Sequence, residues 1–221
     1  MGERIVIILF DLDGTLIDST EAILECFHHT FDVFKHPQPT DAAIKALIGY
    51  PLDSMYADLG VGEDKVWDFV ASYKECYRKI STQKTFLLEN AREAVMQASQ
   101  FASLGIVTTK TGTYSKILME NFGLMQYFDV LIGRENVEKP KPDAEPIVKA
   151  LEHFDIENKE VWMIGDTELD LRSAKNAQIN AVGVLCGYGI QKDLQQYTPY
   201  IYNNTYEAIE YLKSRKYSHL N

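Results

Sequence analysis

The chain alternates between short runs of branched apolar residues and longer segments whose apolar positions recur every three or four residues. Short apolar runs are typical of buried strands in a parallel sheet, and the longer period is typical of helices that pack on such a sheet. We therefore predict an α/β fold, a Rossmann-like core in which a parallel sheet is flanked by helices. The predicted strands span residues 4–10, 106–109, 130–132, 161–164 and 181–185. The helices predicted between and after the later strands span residues 89–101, 113–122, 143–153, 168–177 and 206–213.

The segment between the first and second predicted strands is far longer than one crossover helix requires. It contains helical patterns but no convincing strand. In the last of these patterns, the apolar side chains from Val66 to Tyr77 form one stripe, and stripes of this kind bury against one another. We predict a small helical-bundle domain inserted at residues 18–85, with the core formed by residues 1–17 and 86–221. The helical patterns in the insertion span residues 21–33, 41–48, 52–59 and 64–80.

Composition narrows the class of protein. The 221 residues are 46% hydrophobic, enough to fill a core of this size, and the formal net charge is −10. This charge argues against a protein that wraps a nucleic acid polymer in a basic surface. The apolar run after Arg4 is short and ends at Asp11, so we predict neither a secretory signal nor a membrane span. The sequence leaves a monomer and a homodimer open.

The cysteines indicate the compartment. Cys26, Cys76 and Cys186 are odd in number and widely spaced. In a domain of ordinary size, this pattern favours free thiols in a reducing environment. We therefore expect a cytoplasmic protein with no disulfide.

Two acids follow the first predicted strand at once. Asp11 and Asp13 would project to the same side if the strand conformation continued through both. Like charges this close oppose each other's ionisation unless a metal neutralises them or one keeps its proton. Gly14 permits a tight turn close to a ligand. An apolar strand gains nothing from two adjacent charges, so this pair favours a functional site.

Two further acids are expected at the same edge of the sheet. Asp166 ends another apolar strand, and Asp170 follows it by one helical turn. Either of them alone could be a turn or N-cap residue. Together with the first pair they form an oxygen-rich cluster that fits a hard cation better than zinc, because few thiols or imidazoles are placed nearby.

The motifs resemble those of the haloacid dehalogenase superfamily, whose members are mostly magnesium-dependent phosphatases. The segment from Asp11 to Leu16, DLDGTL, resembles the first motif, and the segment IVT that ends at Thr108 resembles the second. Residues 138–143, EKPKPD, resemble the stretch around the family's lysine, and residues 165–170, GDTELD, resemble the acidic fourth motif. The motifs occur in the expected order. The helical insertion is similar to the cap of the phosphoglycolate phosphatase-like branch.

The resemblance implies a role for each matching residue. Asp11 would be the nucleophile, and Asp13 the general acid and base. Thr108 would hydrogen-bond the phosphoryl oxygens. Lys139 would hold the nucleophile and the transferring group, with Lys141 as the second candidate.

The same resemblance implies a Mg²⁺ site. Its ligands would be Asp11, the backbone carbonyl of Asp13 and Asp166, with Asp170 bound directly or through water. Hard oxygen ligands of this kind are those that Mg²⁺ prefers.

Substrate contacts are expected near the phosphate and in the cap. Gly14 would let the backbone approach the ligand, and Thr109 stands where many relatives carry asparagine. The loop that contains Gly49 and Tyr50 resembles the cap loop that faces the phosphate site in this branch. A partly exposed packing role for Tyr50 is an equal alternative.

The leading hypothesis is a Mg²⁺-dependent phosphatase that hydrolyses a small phosphorylated metabolite through an aspartyl phosphate, with phosphoglycolate as the first candidate. Alternatives on the same chemistry are a nucleotidase, a pyrophosphatase, and a phosphotransferase or mutase. The absence of arginine from residues 48–52 weakens a mutase, and Asp13 argues against a dehalogenase. A non-catalytic module that binds a phosphorylated ligand is the alternative from another class.

Overall fold

A computed structural model describes residues 6–218 of the chain, with side chains as far as Arg215. The predicted start of the first strand at residue 4 lies outside the described residues. No helix within the described range is long and apolar enough to cross a membrane.

The main sheet has six parallel strands in the spatial order β5-β4-β1-β6-β7-β8. A separate antiparallel pair is formed by β2 and β3. The parallel sheet flanked by helices confirms the predicted α/β class. The strands are β1 Val6–Phe10, β2 Ile17–Asp18, β3 Phe86–Leu87, β4 Ala102–Val107, β5 Val130–Ile132, β6 Glu160–Gly165, β7 Asn180–Val184 and β8 Ile201–Tyr202.

Helices follow the strands in the alternating order that the sequence predicted, and four of them lie between β2 and β3. Two 3-10 turns, Met125–Tyr127 and Arg134–Asn136, flank β5. The helices are α1 Thr20–Val33, α2 Asp41–Lys45, α3 Leu52–Asp58, α4 Val66–Ile80, α5 Ala91–Ala98, α6 Gly112–Asn121, α7 Glu145–Leu151, α8 Glu168–Asn176, α9 Gln191–Leu194 and α10 Thr205–Ser218.

β1 lies at the centre of the sheet and is buried on both faces. Its alternate side chains enter two different clusters: Ile8 and Phe10 pack in a cluster that includes residues of α5 and α10, whereas Ile7 and Leu9 pack in one that includes residues of α7 and α8. A strand that is covered by helices on both faces has no polar side, which explains its continuous apolar sequence.

Helices α1 to α4 have an apolar cluster of their own. Its centre is aromatic, with Phe27, Phe31, Tyr56, Phe69 and Tyr73 in contact through stacked, tilted or edge-on rings. The β2–β3 pair brings the chain's entry into this segment next to its exit. Helices α1 to α4 all lie within residues 18–85, the range predicted for the insertion.

Two differences from the predicted strands have physical causes. β4 begins at Ala102 rather than at residue 106 and ends at Val107 rather than at residue 109. Ser103 and Gly105 interrupt the apolar, branched pattern by which strands are found, so the first part of β4 gave little signal. β2, β3 and β8 have two residues each and depend on a partner strand that a local pattern does not contain.

Candidate active site

The carboxyl ends of the central strands bring the predicted motifs together. Phe10 of β1 is paired with Ile106 of β4 on one side and with Ile164 of β6 on the other. The backbone N–H of Asp11 donates to the carbonyl of Ile164 at 2.9 Å, which continues the pairing by one residue. The residues that follow each strand therefore meet at one edge of the sheet, where α/β proteins place their ligands.

Three carboxylates meet at this edge. Asp11, Asp166 and Asp170 are buried, and one oxygen atom of each lies within 4.8 Å of those of the other two. Asp166 accepts hydrogen bonds from the Thr15 hydroxyl at 3.0 Å and from the Tyr188 backbone N–H at 2.8 Å. Both of these donors are uncharged, so they do not neutralise the negative charge of the three carboxylates.

Asp170 is oriented by the start of α8. Its Oδ2 accepts hydrogen bonds from the backbone N–H of Thr167 at 3.0 Å and from the Thr167 hydroxyl at 2.7 Å. Its Oδ1 is thereby directed to the cluster. Asp170 thus serves both as an N-terminal cap and as a member of the candidate site, so the two interpretations of this acid from the sequence are compatible.

Among the side chains that the structure describes, Lys141 is the lysine that reaches the three carboxylates of the cluster. Its Nζ lies 2.7 Å from Asp11 Oδ1 and 2.5 Å from Asp170 Oδ1, and it donates to the Val107 carbonyl at 3.0 Å. The side chain is only 2% exposed. This ammonium group fixes one oxygen of Asp11 and leaves the other free to face a ligand.

The expectation for Lys139 was wrong. Lys139 is exposed, and its backbone N–H, rather than its side chain, is engaged, with Glu145 as acceptor at 2.9 Å. The two lysines are separated by one proline in an irregular loop. Neither strand nor helix periodicity applies there, so the sequence pattern could not decide which ammonium group points inward.

Burial perturbs the acids of the cluster. Burial raises the pKa of Asp11 to about 7, and the nearby charge of Asp170 acts in the same direction, against the lowering effect of Lys141. Burial, together with Asp170 and Asp11, also raises the pKa of Asp166 well above its ordinary value. For Lys141, burial lowers the pKa, but the charges of Asp11 and Asp170 outweigh it and the pKa is raised. One buried ammonium group thus does not compensate three carboxylates.

A hard divalent cation fits this cluster. The donors are carboxylate oxygens, and a charge of +2 would offset the negative charge that Lys141 leaves unbalanced. The surrounding backbone also comes close: Gly14 has φ +83°, and a Cβ on Gly14 or on Gly187 would overlap the Asp166 carboxylate. The residues that could hold the cation are Asp11, Asp166 and Asp170.

The carboxylate of Asp13 is not part of this group of three and has partners of its own. Its Oδ2 lies 2.9 Å from Lys110 Nζ, and its Oδ1 accepts a hydrogen bond from the Ser19 hydroxyl. β1 ends at Phe10, its pairing continues only through the N–H of Asp11, and the chain turns at Gly14, so strand geometry does not hold Asp11 and Asp13 on one side. A metal contact from Asp13 therefore cannot come from its side chain in this arrangement.

The predicted substrate-contact residues lie at the boundary between the sheet edge and the helical segment. Thr108 is buried, and its hydroxyl accepts a hydrogen bond from the Lys110 backbone N–H at 3.2 Å. The Thr109 hydroxyl donates to the Gly49 carbonyl at 2.8 Å, and Gly49 has φ +110°. Tyr50 follows with 37% of its surface exposed. The structure thus brings Thr109, Gly49 and Tyr50 together.

A cavity of about 260 Å³ opens beside these residues. It lies between the helical segment and the loops that follow β4 and β5, and Asp13 and Lys110 are part of its wall. Most of the remaining wall is carbon, with aromatic side chains from both sides of the boundary. The aromatic residues that line it are Phe27, Tyr50, Trp67, Tyr73, Tyr77 and Tyr114.

Sequence reasoning missed Lys110, Ser19 and the loop around Tyr188. Lys110 had a signal, because it is a basic residue two positions after the strand-end Thr108 at an otherwise acidic edge. The loop from Gly187 to Gly189 had another, since closely spaced glycines after a strand mark a close backbone approach. Ser19 gave no signal, because its contact with Asp13 depends on the turn at Gly14.

Comparison with known proteins agrees with this arrangement. A family model described as haloacid dehalogenase-like hydrolase matches residues 8–184. Pyrophosphatase PpaX from Bacillus velezensis is 31% identical over 201 residues, which cover 89% of this chain and 91% of the relative.

Solved structures agree as well. A haloacid dehalogenase-like family hydrolase from Streptococcus pneumoniae has 29% identity and a TM-score of 0.84, covering 95% of this chain and 99% of that one. A protein from Haemophilus somnus, described as a predicted phosphoglycolate phosphatase, has the same fold, with a TM-score of 0.85 at 21% identity and coverage of 95% and 99%. The chain therefore belongs to the haloacid dehalogenase-like hydrolase family.

Proposed function

We propose that this hydrolase is a Mg²⁺-dependent phosphatase that cleaves a small phosphorylated metabolite through an aspartyl phosphate on Asp11. The observation that carries the proposal is the buried cluster in which Lys141 holds one oxygen of Asp11 beside Asp166 and Asp170. A carboxylate in this setting is fixed in direction and has lost most of its competing hydration. Both conditions favour a nucleophile.

In the first step, the free oxygen of Asp11 attacks phosphorus. A bond forms between Asp11 and phosphorus, and the bond from phosphorus to the leaving oxygen breaks. Asp13 gives a proton to that oxygen, so that an alcohol departs rather than an alkoxide. Asp13 lies on the wall of the cavity, which is where a leaving group would be placed.

In the second step, water attacks the phosphorus of the aspartyl phosphate. Asp13 takes a proton from the water, a bond forms from the water oxygen to phosphorus, and the bond from phosphorus to Asp11 breaks, which releases inorganic phosphate and regenerates the Asp11 carboxylate. The roles of Asp13 in the two steps are reciprocal. One positioned carboxylate therefore serves both half-reactions.

Positive charge is required because an anion attacks an anion. Mg²⁺ held by Asp11, Asp166 and Asp170 supplies such charge when bound. Lys141 adds a fixed cation next to the attacking carboxylate. We assign to Thr108, the residue that directly follows the end of β4, the donation of its hydroxyl to a phosphoryl oxygen.

We propose that residues 18–85 act as a cap over this site. The Thr109–Gly49 hydrogen bond and the shared cavity connect the helical segment to the sheet edge. A cap that covers the site would exclude water from the aspartyl phosphate until the leaving group departs.

The candidate substrates differ in the leaving group. The family resemblance puts phosphoglycolate first, and the name of the relative from B. velezensis adds pyrophosphate. The aromatic wall of the cavity favours a second class, nucleoside monophosphates, because a base could stack there whereas a small anion would leave the apolar surface unused. We keep the cytoplasmic location as part of the proposal, because three widely spaced cysteines are typical of a reducing compartment. Both a monomer and a homodimer are compatible with it.

The test is phosphate release from a panel of phosphorylated metabolites with Mg²⁺ present. The panel includes phosphoglycolate, pyrophosphate and nucleoside monophosphates, and Asp11→Asn serves as the blank. Asp68→Asn, at an exposed position of α4, is the matched control. We expect release by the wild type and the control but not by Asp11→Asn. If the wild type released no phosphate from any member, the proposal would be wrong.

A further inference from the structure

Lys110 is a buried cation to which the mechanism above gives no role. Its side chain is only 9% exposed, and its Nζ lies 2.9 Å from Asp13 Oδ2. Burying an ammonium group costs free energy unless a partner compensates it. The compensating partner here is the carboxylate proposed as general acid and base.

Both oxygens of that carboxylate are engaged. Ser19 donates its hydroxyl hydrogen to Oδ1, and Lys110 lies against Oδ2, while the Asp13 side chain is 12% exposed. With two partners on different oxygens, the carboxylate has little freedom to rotate about its last bond. Its direction toward the cavity is thus fixed before any substrate binds.

Lys110 is itself held from several sides. Its backbone N–H donates to the Thr108 hydroxyl at 3.2 Å, and its carbonyl accepts from the Arg134 backbone N–H at 3.0 Å. Its ammonium group lies 4.5 Å from the ring centroid of Tyr77, a buried residue of α4. A cation over an aromatic face is attracted to it. Lys110 therefore connects the strand end, Asp13 and the helical segment.

We propose that Lys110 is a positioning residue that holds the Asp13 carboxylate at the leaving oxygen and at the attacking water. This inference rests on the proposed phosphatase mechanism. Proton transfer requires heavy atoms within hydrogen-bond reach, so a carboxylate that rotates away loses its contribution to the rate.

Loss of the positioning of Asp13 should affect two substrates differently, whereas general structural damage to the enzyme should affect both alike. An alkyl phosphate needs a proton on its leaving oxygen, whereas dinitrophenyl phosphate releases a stable anion and needs none. Both substrates then share the hydrolysis of the aspartyl phosphate, which needs Asp13 as base. The constant kcat/KM reports the steps up to departure of the leaving group, and kcat includes the later hydrolysis.

The experiment compares Lys110→Met and Lys110→Arg with the wild type on both substrates, the alkyl phosphate being the best one from the panel. For Lys110→Met we expect kcat/KM to fall about 100-fold on the alkyl phosphate. On dinitrophenyl phosphate we expect kcat/KM to stay within about threefold of the wild type while kcat falls. Lys110→Arg should recover part of the loss because it keeps a cation near Oδ2.

Two further variants complete the experiment: Lys116→Met is the control, and Ser19→Ala is a second test of the inference. Lys116→Met removes a lysine that is 63% exposed on α6, and both substrates should be turned over as by the wild type. Ser19→Ala removes the partner of Oδ1 and should give the same signature in weaker form. If Lys110→Met did not fold, as judged by circular dichroism, Lys110→Arg and Ser19→Ala would still test the inference.

Equal loss of kcat/KM on the two substrates would overturn the inference, because it would indicate substrate binding or general structural damage. So would variants indistinguishable from the wild type. A wild type that hydrolyses neither substrate would instead overturn the proposed function, and the inference would fall with it.

Discussion

Lys141 and Lys139 form a matched pair at the residue scale. Lys141 lies between Asp11 and Asp170, whereas Lys139 is exposed in the same loop. We predict that Lys141→Met lowers kcat/KM for phosphate release by about 1,000-fold, since a fixed charge next to the nucleophile is lost. Lys139→Met should stay within about twofold of the wild type.

Folding must be measured alongside, because removing one partner from a buried group of charges costs about 3–5 kcal/mol. Lys141→Arg keeps a cation but not its geometry, and it is expected to fold while remaining impaired. A comparable loss in Lys139→Met would show that the loop arranges its lysines differently in the working enzyme.

Gly14 provides a second test at this scale. Its φ of +83° strains any other residue, and a Cβ there would also overlap the Asp166 carboxylate. Gly60 has φ +89° with no atom within 4 Å of such a Cβ, so it carries the strain without the overlap. We predict that Gly14→Ala abolishes most activity and weakens the Mg²⁺-dependent rise in melting temperature. Gly60→Ala should cost only about 1 kcal/mol of stability and keep activity. Equal activity in the two variants would contradict a close backbone approach at Asp166.

Prediction from sequence was strongest for residues whose position follows from strand geometry. Asp11, Asp166 and Thr108 follow strands of one parallel sheet, so the order of strands and motifs along the chain was enough to expect them at one edge. The choice between Lys139 and Lys141 could not be made in this way, because the loop that carries them has no period. The pairing of Asp13 with Lys110 was also hidden, since it depends on where the extended backbone ends.

At the scale of elements, several contacts link the helical segment to the sheet edge. The Thr109 hydroxyl donates to the Gly49 carbonyl beside the cavity. Thr20 with Tyr188, and Tyr114 with the Lys74 carbonyl, form further hydrogen bonds between the two parts. One such bond contributes about 0.5–1.5 kcal/mol. We therefore predict that Thr109→Val, which keeps the shape of the side chain, raises KM about two- to tenfold. Thr82→Val, at an exposed turn, is the control and should leave KM unchanged. An unchanged KM in Thr109→Val would mean that this contact does not influence substrate binding.

Elements were predictable where a local period was long enough to be recognised. The stripe from Val66 to Tyr77 indicated α4, and the structure has that helix from Val66 to Ile80. The two-residue strands β2, β3 and β8 are stabilised by pairing with strands that are distant in the sequence, so no local pattern predicts them. The helical character of the segment between β2 and β3 was therefore predictable from the sequence, whereas the β2–β3 pair was not.

At the scale of the whole molecule, the buried acids couple stability to pH. The pKa of Asp11 is raised from 3.8 to about 7, so between these values the folded protein binds more protons than the unfolded chain. Stability of the metal-free protein should thus fall as the pH rises through this window. Asp11→Asn should flatten the slope, because it cannot titrate. Melting curves of the wild type and of Asp11→Asn, recorded in the presence of a chelator across this pH range, measure the two slopes. A slope equal in the two proteins would contradict the contribution of Asp11.

Mg²⁺ should oppose this loss by binding the folded state only. At a free concentration of 100 times Kd, a ligand of this kind adds about 2.7 kcal/mol of stability. We expect the rise in melting temperature on adding Mg²⁺ to be larger near neutral pH than in acid, because the carboxylates must be ionised to bind it. The variant Asp166→Asn should lose most of the rise, whereas Asp68→Asn should keep it. A rise that persists in Asp166→Asn would place the cation elsewhere.

The most direct test of the central claim is to look for the covalent intermediate. The wild-type enzyme with Mg²⁺ and its best substrate would be stopped in acid during turnover, digested and measured by mass spectrometry. We predict the added mass of one phosphoryl group on Asp11, with none in Asp11→Asn. Turnover with no phosphoryl group on Asp11, or with the group on another residue, would contradict the account.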